Sequence, residues 1–426
     1  MNDTAASAGS VLMLVQNYFP HDPRVRNEAY TLARNGYKVT VLALKGKGEK
    51  SRETVEGVRV YRVPQPSLFE RASTAKGNGA ASLPRRLLQA AAYVLQYAYF
   101  TGLGALVSPI LLLREGFDVI HVHNPPDTMF VIGAAYKLLG KKFVFDHHDL
   151  SPELYISRFG KGSDLIRRGL LMAERLSLKV ADLSIATNES YRGIQIARGK
   201  RKPEAVYVVR NGPDLATVRR VAPDERLKSL GKHILGYLGA MNPQDGVDYL
   251  LRSLKRLRFD LGRDDFYCVL IGSGDSLEAL KQLSIELGIQ DHVRFTGYID
   301  HEEKLRYLSA AEICVDPDPS SPLNDVSTWI KVMEYMALGK PVVSFDLKET
   351  RYTAREAALY VCPNDERAFA EAIAHLMDHP EEREKMGELG ARRIREELAW
   401  EHVSKNLLAA YRILIPRRAA ASFQPV

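Results

Sequence analysis

The chain has 426 residues, enough for two or three domains, and its 46% hydrophobic and 26% charged residues exclude a disordered or fibrous protein. The net charge of +7 is uneven, with 30 Lys/Arg against 18 Asp/Glu in residues 1–212 and 29 against 34 in residues 213–426. A basic first half expects an anionic surface or substrate; without zinc-finger spacing, an RNP-like aromatic motif or a helix-turn-helix signal, no nucleic-acid partner is expected.

Residues 1–10 are small and polar, and the apolar run Val11 to Val15 is too short for a signal-peptide core, so the cytoplasm is the expected compartment. From there short apolar runs alternate with helical periodicity, the pattern of repeated β-α units on a parallel sheet. The predicted strands of the first half are Val11–Gln16, Lys38–Leu44, Val58–Val63, Val119–Asn124, Lys142–His148, Asp182–Thr187 and Tyr207–Asn211. Between the third and fourth, Ser67 to Pro84 reads as a polar surface loop. Leu87 to Leu113 then runs without a charge, long enough to span a bilayer. It contains Gln89, Gln96, Gly102, Gly104 and Pro109, so the favoured reading is a long buried helix. The competing reading is peripheral membrane contact, with Arg85 and Arg86 on lipid phosphates.

Asn211 to Lys232 breaks the rhythm with Gly212, Pro213 and Pro223 and reads as the hinge. The second half repeats the pattern at His233–Ala240, Tyr267–Gly274, Val293–Gly297, Glu312–Pro317, Pro341–Asp346 and Ala358–Val361. The expected domains are therefore 1–212 and 213–399, with a closing helix, Trp400 to Leu414, able to cross back onto the first. Open parallel sheets bind ligands at the carboxyl ends of their strands, so the default site is a crevice between the two. Cys268, Cys314 and Cys362 lie in apolar runs without metal-ligand spacing and read as small buried hydrophobes.

The chemistry concentrates in Ser327-Thr-Trp-Ile-Lys331-Val-Met-Glu334-Tyr-Met-Ala-Leu-Gly339-Lys-Pro341-Val-Val. Ser327 or Thr328 is expected to cap a helix that Gly339 and Pro341 end. Helix N-termini offer free N–H groups and partial positive charge to anions. Lys331 would add a charge there, and Glu334, three residues on, would accept from vicinal hydroxyls such as those of a ribose. Together they describe a site for a nucleoside diphosphate; a solvated Lys331–Glu334 ion pair is the plain alternative. Four histidines, His121, His123, His147 and His148, cluster at two successive strand ends. Alternation puts His121 and His123 on one side of their strand and separates His147 from His148. A His/Asp metal site is a competing reading of the same cluster.

The block Glu334-Tyr-Met-Ala-Leu-Gly-Lys-Pro-Val-Val resembles the donor-site signature of family-four retaining glycosyltransferases of the GT-B fold. Other segments resemble that family in its order: Val119-Ile-His-Val-His123-Asn124, Phe145-Asp-His-His148-Asp149, Val209-Arg210-Asn-Gly-Pro-Asp214, Tyr237-Leu-Gly239-Ala, Leu270-Ile-Gly272-Ser-Gly-Asp and Phe295-Thr-Gly-Tyr298-Ile. The resemblance covers nearly the whole chain. It implies an α/β fold of two Rossmann-like domains facing each other across a cleft, and transfer of a sugar from a nucleoside-diphosphate donor, a co-substrate, with no metal and no cofactor. It implies catalytic roles for His148, Asp149 and Lys331, and donor contacts from Gly239, Gly272, Tyr298, Asn324, Ser327, Thr328, Glu334 and Arg210. His123 and Asn124 would stand on the acceptor side. The expected acceptor is a glycan or lipid-linked glycan of surface-polysaccharide or glycolipid synthesis, met at the inner face of the cell membrane.

The chain also departs from the family. The first of two usual glutamates falls at Val326, with Asn324 and Asp325 just before it. Trp329 stands where a glycine is common. The usual Arg and Lys after the opening strand of the second domain fall at Ala240 and Asp245, and Phe19-Pro-His-Asp-Pro-Arg24 replaces a Gly-Gly turn. These departures motivate two alternatives, a non-catalytic binding protein of the same fold and a sugar-nucleotide epimerase. A nicotinamide dehydrogenase is disfavoured, since no Gly-x-Gly-x-x-Gly follows the first strand.

Overall fold

The computed structural model describes residues 8–66, 83–160 and 163–415, so the loop expected from Ser67 lies, up to residue 82, outside the described residues. The chain divides into two compact units, residues 1–210 with 404–426, and residues 211–403.

The first unit is built on an eight-stranded sheet in the order β3-β4-β2-β1-β5-β6-β7-β8. Its strands are β1 Gly9–Tyr18, β2 Tyr37–Leu44, β3 Arg52–Val55, β4 Val58–Val63, β5 Val119–His123, β6 Lys142–His147, β7 Leu183–Ala186 and β8 Val206–Val208. All pairings are parallel except β3 with β4. Val11 to Val15 are all buried, as expected of a central parallel strand with both faces covered. The edge strand β3 has no counterpart in the sequence reading. Arg-Glu-Thr-Val is short and polar, and its alternate residues are exposed. What defines it is the hairpin turn, where Glu56 and Gly57 both take left-handed φ, 49° and 80°.

The second unit carries a six-stranded parallel sheet in the order β11-β10-β9-β12-β13-β14. These strands are β9 His233–Leu238, β10 Phe266–Ile271, β11 Val293–Gly297, β12 Ile313–Asp316, β13 Val342–Phe345 and β14 Ala358–Val361. Each sheet reverses direction beside its first strand: β1 lies between β2 and β5, and β9 between β10 and β12. Ligands of open α/β sheets bind at the carboxyl ends of strands flanking such a point.

Two expectations are corrected here. The charge-free segment lies on a helix, Leu83–Glu115, but only a third of its apolar window is buried. Leu106 and Leu113 project outward, Leu113 at 88% exposure, beside the exposed Leu138 and Leu139. A cavity of about 440 Å³ lies among Pro109, Leu112, Leu113, Val131, Tyr136 and Leu139. The side chains of Arg85 and Arg86 lie outside the described residues. Of the cysteines, Cys268 and Cys314 are buried, but Cys362, one residue past the end of β14, is exposed.

The last helix, Trp400–Leu414, leaves the second unit and enters the first at Ser404. Asn406 donates to the Val208 carbonyl at 2.9 Å, and Tyr411 is buried against β5.

Candidate active site

In the first unit the crossover point collects charged and imidazole groups. Asp22 caps the helix Pro23–Arg34, accepting from the Arg24 backbone at 3.0 Å, and its carboxylate also takes the Arg24 guanidinium at 3.1 and 2.9 Å. Burial alone would raise the Asp22 carboxyl, but Arg24 overrides it and holds it well below the usual carboxylate range. Arg24 also lies 4.0 Å from Asp149.

His121 and His123 stack with ring centroids 4.2 Å apart, as strand alternation requires. Asp146 at the end of β6 is their common partner. Its Oδ2 lies 2.9 Å from His123 Nδ1, 3.5 Å from His121 Nε2 and 2.6 Å from His148 Nε2. His147 turns the opposite way, toward Glu174 and the Tyr191 ring. Burial lowers His121, and burial together with His121 lowers His123 to about 3. Glu28, on the helix Pro23–Arg34, completes the group. Burial and the neighbouring Asp146 push its carboxyl well above the usual range.

Asn124 ties the loop that follows. Its Oδ1 accepts from the backbone of His148 at 2.6 Å and of Asp149 at 3.1 Å, and its Nδ2 donates to Asp127 and to the Asp149 carbonyl.

In the second unit the strand ends of β9, β10 and β11 carry glycines. Gly272 donates to the Gly297 carbonyl at 3.1 Å, and a Cβ on Gly272 would stand 1.9 Å from the Gly239 oxygen. The turns thus require glycine for backbone to approach backbone. Tyr298 follows at 83% exposure, a free aromatic face. A Cβ on Gly239 would sit 3.6 Å from Lys331 Cδ, so the Gly239 turn and the start of the helix Ile330–Ala337 adjoin.

Two successive family models match these two sheets: the glycosyl transferase 4-like domain over residues 22–212 and glycosyl transferases group 1 over residues 232–379. Both are glycosyltransferase models and together they span most of the chain, which belongs to the glycosyltransferases. The MMP alpha-(1->4)-mannosyltransferase of Mycolicibacterium hassiacum is 26% identical over 72% of this chain and 73% of its own length. The phosphatidyl-myo-inositol mannosyltransferase of Mycobacterium leprae is 26% identical over 70% and 74%. Among solved structures, Anabaena HepE in complex with UDP-glucose superposes with a TM-score of 0.67 at 16% identity, over 94% of this chain and 100% of that one. The fold is GT-B, each domain a parallel-sheet α/β unit.

The structure of this glycosyltransferase rearranges several expected contacts. Ser327 and Thr328 do not cap the helix. It begins at Ile330, behind an extended Trp329, with no side-chain cap. The Ser327 hydroxyl instead donates to the Leu323 carbonyl, and Thr328 reaches Glu349 at 3.4 Å. Lys331 and Glu334 do not pair. The Lys331 ammonium is held by Asp318 and, at 3.2 Å, by Asp316. It lies 5.1 and 5.2 Å from the centroids of the Tyr237 and Trp329 rings. Burial alone would lower it, but the two aspartates keep it above the usual ammonium range. Glu334 binds Lys304, on the helix His301–Ala310, through both oxygens at 3.1 and 3.0 Å.

Asn324, expected at the sugar, is fully buried. Its amide donates to the carbonyls of Gln244 and Pro319, both at 2.9 Å, so it is a loop clamp. His123 and Asn124, expected on the acceptor side, are likewise buried, His123 against Asp146 in β6 and Asn124 against the backbone of Asp149. Arg210 is buried and is the last residue of the first unit before the second begins, whereas the other expected donor residues belong to the second.

Asp22, Arg24, Glu28, Lys304, Asp316 and Asp318 were not legible as site residues. Asp22 before Pro23 has an N-cap signature, and Asp316-Pro-Asp318 places two carboxylates at a strand end. Nothing local indicates the partners of Glu28 or Lys304.

Proposed function

We propose that the protein transfers a sugar from a nucleoside diphosphate to an acceptor hydroxyl with retention at the anomeric carbon. The donor belongs to the second unit and the acceptor to the basic first unit. One observation carries the donor assignment: the uncapped first turn of the helix Ile330–Ala337 begins beside the Gly239 turn, with the charged Lys331 between them. Free N–H groups at such a turn and a fixed cation suit a diphosphate.

In this reading the exposed Tyr298 ring stacks on the base and Glu334 accepts from the ribose hydroxyls. As the bond to the sugar breaks, negative charge develops on the departing diphosphate. The helix N–H groups and Lys331 stabilise it without a metal ion. Pre-placed donors of this kind are each worth about 100- to 1000-fold in rate. His148 and Asp149 belong to the reaction centre.

Relatives named for mannosyl transfer, one of them to phosphatidyl-myo-inositol, support a hexose donor and a lipid-linked acceptor of glycolipid or surface-polysaccharide synthesis. The outward leucines of the helix Leu83–Glu115 and of residues 138–139, beside Lys137 and Lys141, support peripheral contact with the inner face of the cell membrane.

A thermal-shift screen against UDP-, GDP-, ADP- and dTDP-sugars tests the donor site, because a ligand that binds only the folded state raises the unfolding temperature. One base class should stand out. Product anomers from that donor and a lipid-linked acceptor should then keep the donor configuration by NMR. No shift with any donor, or an inverted product, overturns the proposal. Ala240 and Asp245, where the family carries cations, favour a second reading: a binding protein that retains the donor without consuming it. Donor consumed with no acceptor present would instead mark an epimerase.

A further inference from the structure

Glu28, His121, His123 and Asp146 each offer one ligand atom, and all four atoms lie within 4.8 Å of one another. His121 Nε2 stands 3.7 Å from Glu28 Oε2 and 3.5 Å from Asp146 Oδ2. A tetrahedral zinc ion with bonds of about 2.0–2.2 Å separates its ligands by roughly 3.3–3.6 Å. The two separations from His121 are close to that spacing, while His123 Nδ1, hydrogen-bonded to Asp146 Oδ2 at 2.9 Å, would have to move apart from it by a few tenths of an ångström.

Two further observations point the same way. Glu28 Oε2 and His121 Nε2 are buried without a hydrogen-bond partner, and such orphaned atoms are costly. His121 is anchored from behind, its Nδ1 2.8 Å from the Tyr411 hydroxyl. Donation from Nδ1 leaves the Nε2 lone pair facing the two carboxylates, the outer-shell arrangement usual for a metal-bound imidazole.

We propose that these four side chains bind one divalent first-row transition ion, with zinc the best match to two imidazoles and two carboxylates. This departs from the sequence expectation of no metal and is independent of the proposed donor and acceptor. The ion is structural. It fastens the helix Pro23–Arg34 to β5 and β6 and fixes Asp146, which orients His148. Because its ligands are buried, it takes no part in diphosphate departure.

The test is metal content by mass spectrometry, on full-length protein stripped with a chelator, reloaded with zinc and desalted. One surface rival is controlled for: His375 and His379 stack 4.0 Å apart, with Glu382 2.7 Å from His375. The expected result is one zinc per chain in the wild type and in the His375→Gln/His379→Gln variant. The Glu28→Gln/His121→Gln variant should lose it by tenfold or more. Less than about a tenth of an equivalent in the wild type, or loss in the His375/His379 variant alone, overturns the proposal. Should the Glu28/His121 variant not fold, the stripped wild type decides: added zinc raises its unfolding temperature if the site exists, and no rise refutes it.

Discussion

Glu334 gives both carboxylate oxygens to the ammonium of Lys304, thirty residues earlier in the chain, at 3.1 and 3.0 Å. The lysine three residues away on its own helix is bound elsewhere, to Asp316 and Asp318. The two charges that mark the motif therefore do separate work, and substitutions at each should be distinguishable.

Glu334→Ala should raise the KM for the donor while kcat changes less. Hydrogen bonds to a charged group contribute about 1.5–3 kcal/mol, or roughly 10- to 100-fold in KM. Lys304→Met should affect stability first, since it leaves a largely buried carboxylate without its cation. Steady-state kinetics over a donor series measure both, and an unchanged KM in Glu334→Ala removes Glu334 from the donor site.

His148→Ala should act chiefly on kcat, by about 100-fold, with donor KM within a few-fold of wild type. The His148 ring sits against Asp146, and its backbone is held by Asn124, so the loop keeps its anchor when the ring is removed. Wild-type turnover in this variant would take the histidine out of the reaction centre.

Gly272→Ala should destabilise the second unit by about 2 kcal/mol or more. Its φ is 134°, and the new methyl would stand 1.9 Å from the Gly239 oxygen. Gly262→Ala is the control: φ is 65° but nothing lies near its Cβ position, so it should cost about 1 kcal/mol. Urea unfolding midpoints compare the two, and equal costs would show that the Gly239–Gly272 approach is not tight.

Acid should weaken the first unit through His147. Burial, reinforced by Arg198, lowers its imidazole from 6.5 to about 3. Between those values the unfolded chain binds the extra proton and the fold does not. The stability tied to the neutral ring is therefore complete above pH 6.5 and is lost as pH falls toward 3. Near pH 5 the loss is about 2 kcal/mol. His147→Phe should flatten this part of the stability profile relative to wild type, as read from urea midpoints at a series of pH values. A parallel profile would assign the acid sensitivity to other groups.

Much of the fold was legible because its signals are local. Short apolar runs bounded by glycines and prolines marked thirteen of the fourteen described strands, and the family motifs fell in their proper order. The missed strand, Arg52–Val55, carries its information in a turn and an exposed edge rather than in apolar residues. Side-chain direction along a strand was also legible: His121 and His123 share a face and His147 and His148 do not, because the pleat repeats every two residues.

The amino-acid order by itself determined the β-α rhythm, the glycine turns at the strand ends and the family, since each depends on residues within one or two turns of chain. Only the tertiary structure decided which charges meet. Lys331 finds Asp316 and Asp318, Glu334 finds Lys304, and Glu28 finds His121 and Asp146, over separations of 13 to more than 100 residues. Such pairs follow from sheet order and from which groups burial deprives of water. A buried charge must then take whichever partner the fold brings within reach, and local spacing carries no record of that choice.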